Sequence, residues 1–409
     1  MEKFGSGNAP ESEGGGFMDP KIYLAIDNCF ASKRWVQPAE WMRVIRRLGL
    51  RYVEASADTE CDPLYMGEAF TKDWIDDVRR EGERQDVIVK NLYSGHGTYA
   101  TCGLSHYDAR VRRRFCDDWM KAQMNTAQAL GAGFGFFAHG FDETLLQDDA
   151  LYEARLEELY ALLEELAIHA REIGMNYVGI EQMYSPHQPP WRISDATRLM
   201  REIYARTGAP FYITADLGHM NGQQFFQRPD AEYICAQLAR VRAGEKPRRL
   251  WFGTRHAREL FHQACAGARD EASAVAEILA DVEAHPNLFA KPEDGSIGAW
   301  VRAHGCYSPI IHLQQSDGVS SPHWTFTPEN NARGVVRAEA FLRDLAAAYA
   351  QSEDPSMPPK CGEVVLTLEP FISTAGSAYD LLEELEESVA YWRGFIPRDG
   401  MRLSEIVTK

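Results

Sequence analysis

An aspartate and a histidine stand three residues apart in FYITADLGHMN, residues 211–221. Phe211, Tyr212 and Ile213 read as a buried strand that Asp216 closes. Alone, such a pair caps a helix or lines a turn. Three more apolar runs close in a similar way. Glu181 ends the run in YVGIEQM, His312 the run in IIHLQQSD, and Glu369 the run in VVLTLEPF. Two glutamates, an aspartate and a histidine at strand ends make an oxygen-rich ligand set with one imidazole. That set suits Mn²⁺, Mg²⁺ or Co²⁺ better than a structural zinc. A divalent cation held there can polarise a bound oxygen, and neighbouring carboxylates can serve as base and acid.

Groups so far apart in sequence meet only if their strands lie side by side. Eight strand-like runs are present, at 21–27, 51–56, 86–94, 134–140, 176–182, 211–216, 308–315 and 362–371. Between them lie helix-like runs at 38–49, 67–82, 107–133, 150–174 and 194–208, with a last one at 379–395. Ser194 is the expected N-cap of the 194–208 helix and Gly208 its stop. The strands are near-continuously apolar, as parallel strands buried on both faces are. The order predicts an α/β fold, a (β/α)8 TIM barrel with a helical insertion between strands 6 and 7. An open doubly wound sheet is the rival, but no G-x-G-x-x-G follows the first strand. Residues 21–409 form the expected barrel domain. The insertion spans 230–305 within it, and residues 1–20 read as a flexible Gly-rich leader.

Barrel active sites sit at the C-terminal ends of strands. Histidines there are therefore candidate substrate contacts. His139 ends the fourth strand, His187 follows the fifth and His323 the seventh, with His96 on the loop after the third. A packing role is the alternative for His139 and a plain loop role for the others. Trp35 and Trp191 are candidates for stacking on an apolar ligand face, and Arg192 for a phosphate. For these three, ordinary packing and a surface ion pair are the alternatives.

Composition narrows the classes. The chain has 409 residues, 45% hydrophobic and 11% aromatic, which is globular usage. A net charge of −17 argues against nucleic acid, whose binding draws on Lys and Arg neutralising phosphates. Eight scattered cysteines with no C-x-x-C read as reduced thiols of a cytoplasmic protein. The first residues lack the apolar core of a signal peptide, and no run reaches the length of a membrane span.

The motifs IEQM, ADLGHMN, IIHLQQSD and LTLEPF, with GLSHYDARVRRR (103–114), resemble the xylose isomerase-like barrel superfamily, most closely its ketose 3-epimerase branch. The likeness runs over residues 21–395, with 230–305 outside it. It implies metal ligation by Glu181, Asp216, His312 and Glu369. It also implies proton exchange by Glu181 and Glu369, and substrate orientation by His219. Two positions depart from the pattern. Gly318 replaces the substrate-gripping arginine six residues after the metal histidine, and His187 replaces an acid six residues after the first metal glutamate. The grip on substrate is therefore built differently here.

The implied function is a divalent-metal-dependent isomerase or epimerase of a ketose or sugar phosphate. It works by proton transfer through a metal-bound enediolate, with one Mn²⁺ the first choice of ion and Mg²⁺ or Co²⁺ alternatives. A lyase or dehydratase on a keto-sugar or keto-inositol shares the first step and is the alternative. A metal-dependent DNA nuclease ranks behind it, since it needs a metal cluster and further early-strand histidines. A non-enzymatic sugar-binding barrel also ranks behind. The expected partners are a small-molecule sugar or sugar phosphate and further copies of the chain, with no nucleic acid and no membrane.

Overall fold

Eight strands pair in parallel: β1 Lys21–Asp27, β2 Tyr52–Ser56, β3 Ile88–Ser94, β4 Gly133–Phe136, β5 Val178–Glu181, β6 Tyr212–Asp216, β7 Ile310–Leu313 and β8 Glu363–Leu368. Each pairs with the next, and β1 pairs with both β8 and β2, so the sheet closes into a (β/α)8 TIM barrel. The computed structural model describes residues 18–95, 97–99, 101–247, 250–371 and 375–408. His96 and most of the expected leader lie outside the described residues. Among the described residues no helix is long and apolar enough to cross a membrane.

Side chains alternate across each strand, one set facing the helices and the other the barrel interior. The outward set is apolar. Leu24 and Ile26, Val53 and Ala55, Val178 and Ile180, Ile213 and Ala215, Ile311 and Leu313, and Val364, Leu366 and Leu368 all join the main hydrophobic core. The inward set changes character from bottom to top. Tyr23, Ala25, Tyr52, Ile310 and Val365 form a separate apolar plug, with Tyr177 packed against it. Lys90 sits 4.4 Å above the Tyr23 ring and 2.9 Å from Glu363, so its charge is paired as it caps the plug. The same parity then carries Glu54, Glu181, Asp216, His312 and Glu369 inward near the C-terminal mouth. Small residues make room for the plug: a Cβ on Gly133 would come 2.2 Å from the Tyr177 ring.

Between β6 and β7 the chain builds helices Ala231–Arg242, Arg255–Cys265 and Glu271–Ala284, which pack on one another. A further helix, Ile297–His304, packs against Ile193–Thr207 and Ala338–Ala350, the helices that follow β5 and β7. It therefore takes the barrel-helix position after β6. Two local expectations need correction. The 107–133 helix is interrupted: Ala109–Arg114 runs into a π-turn at Phe115–Met120 before Lys121–Ala129. The 194–208 helix starts at Ile193, so Ser194 lies inside it and does not cap it. Asp294, reaching in from the long β6–β7 segment, accepts the Ile193 N–H at 2.9 Å and supplies the cap. Gly208 ends that helix in the left-handed conformation, as expected.

Candidate active site

The four strand-end groups converge. One ligand atom from each of Glu181, Asp216, His312 and Glu369 lies within 4.8 Å of the other three, and all four residues are buried. Register accounts for the meeting. Asp216 pairs with His312 across β6–β7, and His312 pairs with Thr367, two residues before Glu369. His312 Nδ1 points into the group, 2.8 Å from Glu181 Oε1, 3.2 Å from Glu369 Oε2 and 4.0 Å from Asp216 Oδ2.

The other imidazole nitrogen meets a residue that the sequence reading did not single out. His312 Nε2 lies 2.7 Å from Glu54 Oε1, and Asn91 Nδ2 donates to Glu54 Oε2 at 2.5 Å. Tyr93 was also missed; its hydroxyl donates to Glu181 Oε2. A sequence signal for Glu54 exists: a lone acid inside the apolar run of β2 must find a partner when both strand faces are buried.

Asp216 is held from several sides. The backbone N–H groups of Gly218 and His219 each donate to its Oδ1 at 2.7 Å. Gln314 Nε2 reaches both of its oxygens, at 2.9 and 3.0 Å. The D-x-x-H spacing thus positions the carboxylate and the histidine together. His219 Nδ1 lies 2.9 Å from the carbonyl of Gln182 and 3.8 Å from Glu181 Oε1.

Electrostatics favour a cation at this centre. Four carboxylates, those of Glu54, Glu181, Asp216 and Glu369, surround one imidazole. Burial alone would lower the His312 pKa, but the charges of Glu369, Glu54 and Glu181 outweigh it and hold it well above the usual range. Four buried carboxyl groups outnumber the one imidazole, and a cation among them would offset the cost of burying their charge. Glu369 Oε2 is buried, with His312 Nδ1 and His323 Nδ1 at 3.2 and 3.5 Å but no well-aligned hydrogen bond among the described residues. Such an oxygen, beside three other ligand atoms, fits a divalent ion. Burial, with the charges of Glu181 and Glu369, holds the Tyr93 phenol well above its ordinary pKa, so it remains a donor.

A cavity of about 540 Å³ opens over the centre, with Glu181 and Glu369 at its base. His219 and His323 line it, their rings 5.9 Å apart. His323 Nδ1 lies 3.5 Å from Glu369 Oε2, and its ring stacks on Phe371 at 3.9 Å. The remaining candidates lie elsewhere. His187 is not in the lining; its Nδ1 meets the carbonyl of Phe141 at 2.9 Å, tying the loop after β5 to the loop after β4. His139 is fully buried, with its ring against Phe115 and Phe137 and both nitrogens unpartnered among the described residues. The strand stops at Phe136, short of the expected end at residue 140, and His139 turns with φ at 68°. Its place is the packing role. Trp191 is fully buried, Trp35 packs against the core, and Arg192 is paired with Asp195 at 2.7 Å.

A closed parallel barrel with a carboxylate-rich centre at its C-terminal mouth defines the class. The Xylose isomerase-like TIM barrel family model matches residues 42–268, and the chain belongs to that family. His312 and Glu369 lie beyond the matched segment. The D-erythrulose 1-phosphate 3-epimerase of Brucella abortus (strain 2308) is 30% identical over 115 residues, 28% of this chain and 34% of that protein. The chain therefore aligns with about a third of that relative's length. Among solved structures, a candidate xylose isomerase from Rhodospirillum rubrum ATCC 11170 superposes with a TM-score of 0.65 at 16% identity, covering 91% of this chain and 99% of the other. The D-psicose 3-epimerase of Clostridium cellulolyticum H10 gives 0.56 at 13%, covering 91% and 98%. At such identities the likeness is one of fold.

Proposed function

We propose that the protein is a divalent-metal-dependent sugar isomerase or epimerase that moves a proton at a carbon beside a carbonyl. The observation that carries this reading is the convergence of Glu181, Asp216, His312 and Glu369 at the base of a sugar-sized cavity. These four residues would hold the ion, His312 through Nδ1, with Mn²⁺ the first choice for three carboxylates and one imidazole. When bound, the ion supplies electrophilic stabilisation of negative charge developing on substrate oxygens.

The chain's own groups do the rest. Glu181 and Glu369 both face the cavity, and carboxylates at two sides of a substrate can take a proton from carbon and return one. Return to the same carbon from the other side gives an epimer; return to the neighbouring carbon gives an aldose–ketose isomerisation. Tyr93 holds one oxygen of Glu181, so the other is aimed at the centre. His219 and His323 stand over the carboxylates, where they can bind substrate hydroxyls and exclude water. The relatives' names support the reading, since 3-epimerases of D-psicose and of D-erythrulose 1-phosphate both invert a carbon of a keto sugar.

The test is carbon-bound deuterium uptake from D₂O with Mn²⁺ across a panel of ketoses, aldoses and their phosphates. Uptake next to the carbonyl, lost in Glu369→Gln and Glu181→Gln, is expected. No uptake across the panel, or full activity in either variant, contradicts it.

A further inference from the structure

A second cavity adjoins the one over the centre. Tyr184 and Ser321 line both, and the second measures about 510 Å³. The far wall of that annex is Phe225, Phe226, Leu250 and Trp251, all from the long β6–β7 segment. The wall is anchored. The Trp251 indole N–H donates to the Leu288 carbonyl at 2.7 Å, and its ring meets Phe226 edge-on at 5.1 Å. Phe226 in turn rests on the buried Trp191 at 5.9 Å. Gly222 keeps the floor clear, since a Cβ there would come 3.0 Å from Tyr184 Cβ.

We propose that this annex binds the second sugar ring of a disaccharide-sized substrate whose keto-sugar ring lies over the metal centre. The inference rests on the isomerase or epimerase reading and names its substrate class. Three observations favour this occupant. Aromatic faces beside serine and tyrosine hydroxyls suit a pyranose, which has apolar C–H faces and a hydroxyl rim. The described lining of the annex is aromatic, apolar and hydroxyl-bearing, which suits a neutral ring. Tyr184 and Ser321 border both cavities, so the two adjoin, and two linked rings set side by side would fill them. A single ketose would leave the annex empty.

The full chain loaded with Mn²⁺ is tested in D₂O with D-fructose, D-fructose 6-phosphate and maltulose, a glucosyl-fructose disaccharide. Deuterium uptake gives kcat/KM, and saturation-transfer NMR shows which sugar protons touch the protein. The expected kcat/KM is at least tenfold higher for maltulose than for fructose, with saturation on the glucosyl ring. Trp251→Ala and Phe225→Ala should each bring that ratio close to one while Mn²⁺ uptake persists. A ratio of one or less in the unmodified protein, the highest value for the phosphate, or no saturation of the glucosyl ring overturns the proposal. If no sugar takes up deuterium, the isomerase reading fails. The annex is then judged by saturation alone: a glucosyl signal lost in Trp251→Ala upholds its ring-binding part, and its absence refutes it.

Discussion

Glu54 of β2 and His312 of β7 form a buried pair across the barrel interior, with Glu54 Oε1 2.7 Å from His312 Nε2. In the proposed metal site, an Nε2–H donated to Glu54 would leave the Nδ1 lone pair free for the ion, and the carboxylate would raise its basicity. Glu54→Gln can keep the hydrogen bond but loses the charge. Mn²⁺ affinity is expected to fall by about 10- to 100-fold, as read by isothermal titration calorimetry. Unchanged affinity would show that Glu54 does not tune the ligand.

Tyr93 tests a different layer. Tyr93→Phe removes the hydroxyl that binds Glu181 Oε2 and keeps the ring edge-on to His312 at 5.1 Å. A hydrogen bond to a charged group is worth about 1.5–3 kcal/mol. Deuterium-exchange turnover should therefore fall roughly 10- to 150-fold, with Mn²⁺ still bound. Loss of Mn²⁺ instead of turnover would place Tyr93 in ion binding.

Gly218 is a close-approach glycine. An added Cβ would lie 2.1 Å from Gln314 Cδ, and Gln314 is fully buried where it holds Asp216. Gly218→Ala should cost about 1–3 kcal/mol by overpacking, seen in urea unfolding, and should weaken Mn²⁺ binding through Asp216. Full stability with full affinity would mean that Gln314 can move away freely.

Glu60 gives a pH dependence separate from the metal centre. Its Oε2 accepts the indole N–H groups of Trp41 and Trp74 at 3.2 and 3.1 Å, yet burial outweighs them and pushes its carboxyl up to about 7. The folded state thus binds a proton that the unfolded chain releases near its ordinary value of about 4.3. Stability from this group is complete below that value and is lost as pH rises to about 7. Glu60→Gln should remove this loss, raising stability at pH 8 by on the order of 2–3 kcal/mol. Parallel melting-temperature curves for the two proteins from pH 4 to pH 8 would contradict it.

Much of this architecture is legible in the residues. Each of the eight apolar runs overlaps a strand, because a parallel barrel buries both strand faces and leaves a continuous apolar signature. Glu181, Asp216, His312 and Glu369 stood out because each polar group closes such a run. Glu54 and Tyr93 did not, since they lie within strands whose ends drew the attention. His139 lies past the end of β4, because FGFFAHG stays apolar beyond Phe136, and only the backbone shows the chain turning at His139. His187 fell on a loop whose path is set by a contact with Phe141, 46 residues away in sequence. The annex was not visible either, because its walls come from Tyr184, Phe226, Trp251 and Ser321, which no periodic pattern links.

The most direct test is a diffraction experiment on Mn²⁺-soaked crystals at the manganese absorption edge. The expected result is one anomalous peak per chain, bonded to carboxylate oxygens of Glu181, Asp216 and Glu369 and to His312 Nδ1. A peak elsewhere, or no peak at these four side chains with Mn²⁺ in excess, would contradict the account.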